Sequence, residues 1–286
     1  MLTGKSIVVI GGDARYIELM HQLVMSDASV FAVGYEEYQE KESEVQYVTI
    51  EDLNQEALDA VILPITGLDE AGFAEAHYAE KSPRVSSEWL NDLPENTLIF
   101  TGIRTQYLND VTHENIVALF DRDDIAIYNS IPTAEGTVML AIQYTPITIH
   151  NANVTILGFG RVGKSLVNAF QGLGANVSVA ARKETDLARI FETRAKPLQL
   201  EQLSEEVREC DILINTIPTR IVTPEVIHNL SKSCLILDLA SKPGGVDYRY
   251  AKKKGVKAIL APGLPGMVAP QTAGKILAQV IQTIIL

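Results

Sequence analysis

Cysteine is scarce. The 286 residues carry two, Cys210 and Cys234, far apart in the chain. Such a pair cannot be the framework of a small secreted domain. There is also no C-x-x-C or H-x-x-x-H spacing to hold zinc, so no metal site is expected. The expectation is buried, reduced thiols in a cytoplasmic protein. Basic residues are the minority, 24 Lys+Arg against 36 Asp+Glu, which leaves a net charge of −12. That excludes the broad basic face of a nucleic-acid binder, so no nucleic acid is expected as a partner. It leaves room for a few local cations to hold a small anion. Long apolar runs are missing: none approaches the roughly 18 residues of a membrane span, and no membrane partner is expected. The apolar stretch at residues 7–10 is too short for a signal-peptide core and stops at Gly11-Gly12. Repeats and low-complexity tracts are absent as well.

What is present is a chain long enough for two domains and apolar enough, at 47% hydrophobic, to build two buried cores. It turns on residues 153–164, a short apolar run, a glycine-rich turn and the start of a helical pattern. Gly158, Gly160 and Gly163 fit G-x-G-x-x-G. The first glycine allows a tight turn, the second lets backbone approach a pyrophosphate, and the third packs helix on strand. The helix start supplies free N–H groups to a phosphate, so Gly158, Phe159, Gly160, Arg161, Val162 and Gly163 are expected to bind a dinucleotide. After the next strand comes Ala181-Arg182-Lys183, where an acid would bind the ribose 2′-hydroxyl of NAD. Two cations there favour NADP, with Arg182 and Lys183 on its 2′-phosphate; otherwise they are ordinary surface charges on a turn. Glu184 and Asp186 follow closely and count somewhat against the first reading. Thr216, Ile217 and Pro218, in the loop after the fourth strand, would flank the ribose and nicotinamide.

The first half alternates strand and helix. Strands are expected at residues 6–10, 30–33, 59–64, 97–100 and 125–128, and an early helix at 18–25. Gly11-Gly12-Asp13 resembles a second dinucleotide loop, but Asp13 stands where a pyrophosphate would lie, and its charge would repel one. Asp13 can cap the following helix. The carboxyl ends of the strands carry Arg15, Thr101, Gly102, Arg104 and Ser130, candidates for gripping an anionic substrate. Arg15 reads equally well as a surface charge in the first helical turn. Residues 36–44 read as an acidic solvated loop.

A connecting helix is expected at 132–145, capped by Ser130 and opened by Pro132. Glu135, near its start, is either an acid/base group or a complement to the helix dipole. The second half reads as a six-stranded Rossmann set. Residues 262–266 look too turn-rich for a helix, and 268–286 read as a final helix packing back on the first domain. The fold expected is α/β, two doubly wound parallel-sheet domains. The first is a flavodoxin-like substrate domain at 1–130 completed by 268–286, and the second an NAD(P)-binding Rossmann domain at 131–267, with a cleft between the two sheets. Catalytic candidates are Arg104, Lys242, Glu135 and Asp238. No Ser/His/Asp spacing supports nucleophilic catalysis, and the five histidines are scattered. None follows the cofactor strands as a hydroxyacid dehydrogenase's would.

Four segments, 9–15, 121–133, 238–245 and 260–266, resemble the A-subunit of bacterial dipicolinate synthases, and the likeness runs nearly end to end. The architecture is more distantly similar to hydroxyacid dehydrogenases and S-adenosylhomocysteine hydrolase. The resemblance implies formation of pyridine-2,6-dicarboxylate in the mother cell of a sporulating bacterium, from the dihydrodipicolinate branch of lysine biosynthesis. It implies NADP+ as electron acceptor, a small dicarboxylate as substrate, and as partner a flavoprotein-like B-subunit; a homo-oligomer is also expected. Two other classes stay open: a 2-hydroxyacid-type dehydrogenase, and a non-catalytic NADP-binding subunit.

Overall fold

A computed structural model of the chain describes residues 1–241 and 243–286. Two compact units emerge, Met1–Asn129 with Ala269–Leu286, and Ser130–Val268. The first holds β1 (Ser6–Ile10), α1 (Ala14–Val24), β2 (Ser29–Val33), β3 (Val45–Tyr47), β4 (Ala60–Ile62), α2 (Ser87–Asn91), β5 (Leu98–Thr101), α3 (Gln106–Asn109) and β6 (Ile116–Ala118). From there α4 (Asp123–Tyr144) runs into the second unit. That unit holds β7 (Asn153–Leu157), α5 (Arg161–Gly172), β8 (Asn176–Ala181), α6 (Glu184–Glu192), β9 (Lys196–Gln199) and α7 (Leu203–Glu206). It continues with β10 (Ile212–Asn215), α8 (Pro224–Asn229), β11 (Leu235–Asp238), α9 (Tyr248–Lys254), β12 (Lys257–Leu260) and α10 (Leu264–Val268), and α11 (Pro270–Ile285) returns the chain to the first unit.

Each unit is built on a six-stranded sheet, in the orders β3-β2-β1-β4-β5-β6 and β12-β11-β10-β7-β8-β9. Every pairing within the two sheets is parallel. Numbered within its own unit, each sheet has the dinucleotide-fold order 3-2-1-4-5-6, and its strand order reverses beside the first strand. Without the three-residue edge strand β3, the first sheet would have the flavodoxin order.

Successive residues of a central strand feed opposite cores. Ile7 and Val9 join Leu19, Leu23, Leu277 and Ile281 on one side, while Val8 and Ile10 join Leu63, Leu90 and Leu108 on the other. The second sheet does the same, with Val154 and Ile156 facing Leu166 and Phe170 and with Leu157 and Leu213 facing Val226 and Ile227. Strands buried on both faces must be apolar at nearly every position, which is why they stand out in the sequence. Helix α11 lies along α1 at Gly274, where a Cβ would come 2.3 Å from the Arg15 carbonyl oxygen.

Four local expectations are corrected. Residues 125–128 are helical; the strand is Ile116–Ala118 instead. The connecting helix therefore begins at Asp123 rather than at 132, and Pro132 lies well inside it. Asp123 and Asp124 fill its first turn, where carboxylates complement the helix dipole. Glu135 is thus an exposed mid-helix residue, not a group at a helix N-terminus. Residues 264–268, held too turn-rich for a helix, form the short α10.

Candidate functional site

In the second unit, the β7–α5 turn is shaped by its three glycines. Gly158 has φ +97°, and a Cβ there would fall 2.6 Å from Thr216 Oγ1. Gly163 is pressed on the turn itself, since its Cβ would sit 2.2 Å from the Gly158 carbonyl oxygen. Gly160 is different: a Cβ there would meet nothing within 4 Å. Space therefore stands open above the backbone of Gly160, which caps α5 without any side chain satisfying the helix N–H groups. Open space, a helix start without a side-chain cap and the positive end of a twelve-residue helix fit a pyrophosphate. Phe159 and Val162 pack on the core below, and Lys164 Nζ lies 5.5 Å from the Phe159 ring centroid. Arg161 is exposed at the first position of α5.

The facing loop is anchored from within. Thr216 Oγ1 donates to the Leu157 carbonyl oxygen at 2.7 Å, and Ile217 reaches within 3.1 Å of where a Gly158 Cβ would stand. Glycine loop, Thr216 and Ile217 are thus brought together, and Pro218 is exposed beside them. At the end of β8, Arg182 and Lys183 are both exposed and have no ion-pair partner among the described residues. Glu184, whose charge would oppose an anion there, accepts a hydrogen bond from Gln199 Nε2 at 2.9 Å.

Asp238 is not available as a proton shuttle. Its fully buried carboxylate accepts from Asn215 Nδ2 (2.8 Å), the Ala240 N–H (3.2 Å), the Gly245 N–H (2.8 Å) and the Tyr248 hydroxyl (2.7 Å). A carboxylate with four donors and no solvent is a scaffold. Burial, and then the hydrogen bond to Asp238, push the Tyr248 hydroxyl pKa well up, so it stays a donor. Asn215, not singled out from sequence, joins this network to the cofactor loop through both the N–H and the carbonyl oxygen of Ile217. The signal was present, an amide and an acid at the same register of β10 and β11, but only pairing of those strands makes it legible. Lys242 lies outside the described residues.

In the first unit, the Gly11-Gly12 turn is closed to a dinucleotide. A Cβ on Gly11 would fall 2.5 Å from the Glu75 carbonyl oxygen, and one on Gly12 would run 2.4 Å from the Tyr16 ring. Gly11 makes way for a neighbouring segment and Gly12 for the Tyr16 ring; the Gly12 N–H donates to the Glu75 carbonyl, and the His77 N–H donates back to Gly12. Asp13 caps α1 through the Arg15 N–H, and its carboxylate also takes the Arg15 guanidinium in a two-pronged ion pair. Arg15 is therefore a neutralised charge with 12% of its side chain exposed, not an open anion fork.

Thr101 is fully buried, its hydroxyl turned back on the Ile103 carbonyl, and Gly102 backs onto Ile65, so these two shape the turn. Ser130 lies inside α4, buried, with its hydroxyl 2.7 Å from Ser165 Oγ, and so is not at a strand end. Arg104, at the end of β5, is exposed with no ion-pair partner among the described residues. A hollow of ≈ 590 Å³ opens at the next residue, Thr105, lined also by Thr66, Gly67, Asp69, Glu75 and Tyr107. Arg104 keeps an open guanidinium at this edge. Cys210 and Cys234 are buried free thiols, and no cluster able to hold a metal occurs among the described residues. No described helix is long and apolar enough to cross a membrane.

Comparison with known proteins agrees with both units. The family model for the N-terminal domain of the dipicolinate synthase A-subunit matches residues 6–122. That for the alanine dehydrogenase/PNT C-terminal domain matches residues 129–286, and with it the nicotinamide dinucleotide-binding dehydrogenase fold. The chain is 43% identical to the dipicolinate synthase A-subunit of Bacillus subtilis (strain 168), over all of this chain and 97% of the relative. The crystal structure of the dipicolinate synthase A-subunit from Bacillus halodurans superimposes with a TM-score of 0.96 at 45% identity, covering 100% of this chain and 99% of that one. A transhydrogenase from Sinorhizobium meliloti shares the fold, with a TM-score of 0.67 at 14% identity over 98% of this chain and 94% of its own.

Proposed function

The chain belongs to the family of dipicolinate synthase A-subunits, and from that premise we propose that it carries out the NADP-dependent oxidation of dihydrodipicolinate to dipicolinate in a sporulating cell. The observation that carries the cofactor half is the open space over Gly160 at an uncapped helix start, a cradle that a pyrophosphate fills. Gly158 to Gly163 hold the pyrophosphate through backbone N–H groups. Thr216, Ile217 and Pro218 flank the ribose and nicotinamide. The unpaired Arg182 and Lys183, with Glu184 turned to Gln199, make a 2′-phosphate welcome and favour NADP over NAD. When bound, the cofactor supplies the hydride acceptor.

The first unit is the substrate unit. Arg104 takes a ring carboxylate with its guanidinium, and the turn at Thr101 and Gly102 fixes where Arg104 stands. The flavoprotein-like B-subunit is the expected partner, and further copies of this chain complete the assembly. Ile131, Met139 and Ile142, 52%, 40% and 59% exposed along α4, offer apolar surface for such contacts.

A paired set of variants tests the two halves. Arg104→Ala raises the substrate KM about tenfold or more, the loss of one charged hydrogen-bonding partner, and leaves NADP binding unchanged. Arg182→Asp does the reverse, weakening NADP and turning preference toward NAD. Normal substrate kinetics in the first would remove Arg104 from the site, and unaltered nucleotide preference in the second would remove the 2′-phosphate role.

A further inference from the structure

The proposed oxidation needs more than a hydride acceptor. A hydride leaves one saturated ring carbon with both electrons of its C–H bond. A proton must leave the neighbouring saturated carbon, whose C–H electron pair then completes the aromatic sextet. The candidate carboxylates of the second unit do not suit that proton. Asp238 is saturated with donors, and Glu135 is an exposed residue in mid-helix.

The strand order of the first sheet reverses between β1 and β4, and ligands of such sheets sit over the carboxyl ends of the strands at that point. A segment of the long β4–α2 connection is laid there. It is pinned to the β1 turn by the Gly12–Ala76 bridge and by the His77 N–H on the Gly12 carbonyl at 3.0 Å. That pinning brings two side chains to the edge. His77 Nε2 lies 3.0 Å from Glu75 Oε1, and the other Glu75 oxygen accepts from Thr66 Oγ1 at 2.8 Å. Thr66, Glu75 and His77 form a relay that begins at the end of β4 and ends in an imidazole with 54% of its side chain exposed. Hydrogen bonds from His77 first, and from Thr66, hold the Glu75 carboxyl below its ordinary value against the effect of burial. An ionised Glu75 requires the proton of neutral His77 on Nε2. It thereby leaves the Nδ1 lone pair available, with no partner among the described residues. Asp13 is close enough for its charge to act on His77, and it is itself offset by Arg15.

We propose that His77 is the base that takes the ring proton of the dihydropyridine dicarboxylate, and that Glu75, steadied by Thr66, is the positioning residue that sets its tautomer. The proton moves from ring carbon to Nδ1. The imidazolium so formed lies against the Glu75 carboxylate, with Asp13 beyond, and returns the proton to water after product leaves. This role depends on the oxidation proposed above.

The test uses the chain together with its partner protein. With NADP+ present, His77→Gln lowers kcat about 100-fold or more, the usual loss on removing a general base, while substrate KM and NADP affinity change less than about threefold. Glu75→Gln lowers kcat less and shifts the pH dependence of kcat, which a packing defect would not do. A readout independent of the cofactor follows ring protons by NMR in deuterated water without NADP+. The wild-type protein accelerates their exchange and His77→Gln does not. Thermal melting at the wild-type temperature shows that both surface variants fold. Wild-type turnover with an unimpaired His77→Gln variant would overturn this inference alone. A wild-type protein that produces no dipicolinate would overturn the proposed oxidation and this role with it.

Discussion

Asp13 and Arg15 stand two residues apart at the start of α1 and bind each other through the Nε and one Nη of the guanidinium. Burial pushes the Asp13 carboxyl up, but the hydrogen bonds and charge of Arg15 outweigh it and hold the group below its ordinary value of 3.8. A depressed native value means that the stabilisation is complete above the ordinary value and is lost as pH falls through the native one. Asp13→Asn keeps a good helix cap and removes only the charge. At neutral pH the variant should be less stable by about 1–2 kcal/mol, the worth of a charged hydrogen bond. From about pH 4 downward the wild-type melting temperature should fall faster, so that the two curves converge; parallel curves would contradict the ion pair's role. This pair also explains why the sequence misleads at Arg15. The residue types suit a carboxylate fork, but its partner is two positions away and fills it. Arg104 has no such neighbour and keeps its charge free. At single positions, then, a site residue is legible only when its competitors for hydrogen bonds are legible too.

Two glycine turns, one in each unit, look alike as sequence and differ as elements. At Gly11 the missing side chain admits the Glu75 carbonyl and at Gly12 the Tyr16 ring; at Gly160 the missing side chain leaves open space. The second turn could be identified from sequence because binding a pyrophosphate constrains three positions at once, with a buried strand before them and an amphipathic helix after. The first could be discounted because Asp13 breaks the pattern, though nothing local shows what fills the space. Replacements separate the structural glycine from the ligand-facing one. Gly158→Ala places a Cβ 2.6 Å from Thr216 Oγ1 at φ +97°. It should cost about 1–3 kcal/mol of stability, read by urea denaturation. A Cβ at position 160 meets no atom within 4 Å, so Gly160→Val should lose no more than about 1–2 kcal/mol, the cost of a poorer helix cap, while NADP affinity drops sharply. Intact NADP binding in Gly160→Val would place the pyrophosphate elsewhere.

The elements lost to sequence reading share a cause. β3, β6 and β9 are short edge strands without the fully buried apolar run of the central strands, and β9 carries Pro197 at a sheet edge, where a missing N–H is tolerated. Residues 125–128 carry a strand-like composition into the start of α4, and Pro132 suggests a helix opening where the helix is already under way.

For the whole chain, the two sheets follow one plan and serve different ends. Both have the same strand order with a reversal beside the first strand, and both bury their central strands on two faces. In the second unit the turn at that reversal is open and faces an uncapped helix, the arrangement a dinucleotide needs. In the first it is filled by a segment that carries Glu75 and His77, and Glu75 lines the same hollow as Thr105, the residue after Arg104. The two-sheet α/β architecture was legible because continuous apolar strands alternate with amphipathic helices. The Asn215–Asp238–Tyr248 network was not, because its members lie on separate elements and meet only in the folded sheet. The most direct measurement of the central claim is turnover. The purified chain, alone and with the B-subunit, is given dihydrodipicolinate with NADP+ or NAD+, and NADPH or NADH is followed together with dipicolinate. The account predicts that dipicolinate and reduced nucleotide form in equal amounts, with NADP+ preferred and the partner protein permitted or required. Dipicolinate formed at the same rate without any nucleotide, or no dipicolinate under any combination, would contradict it.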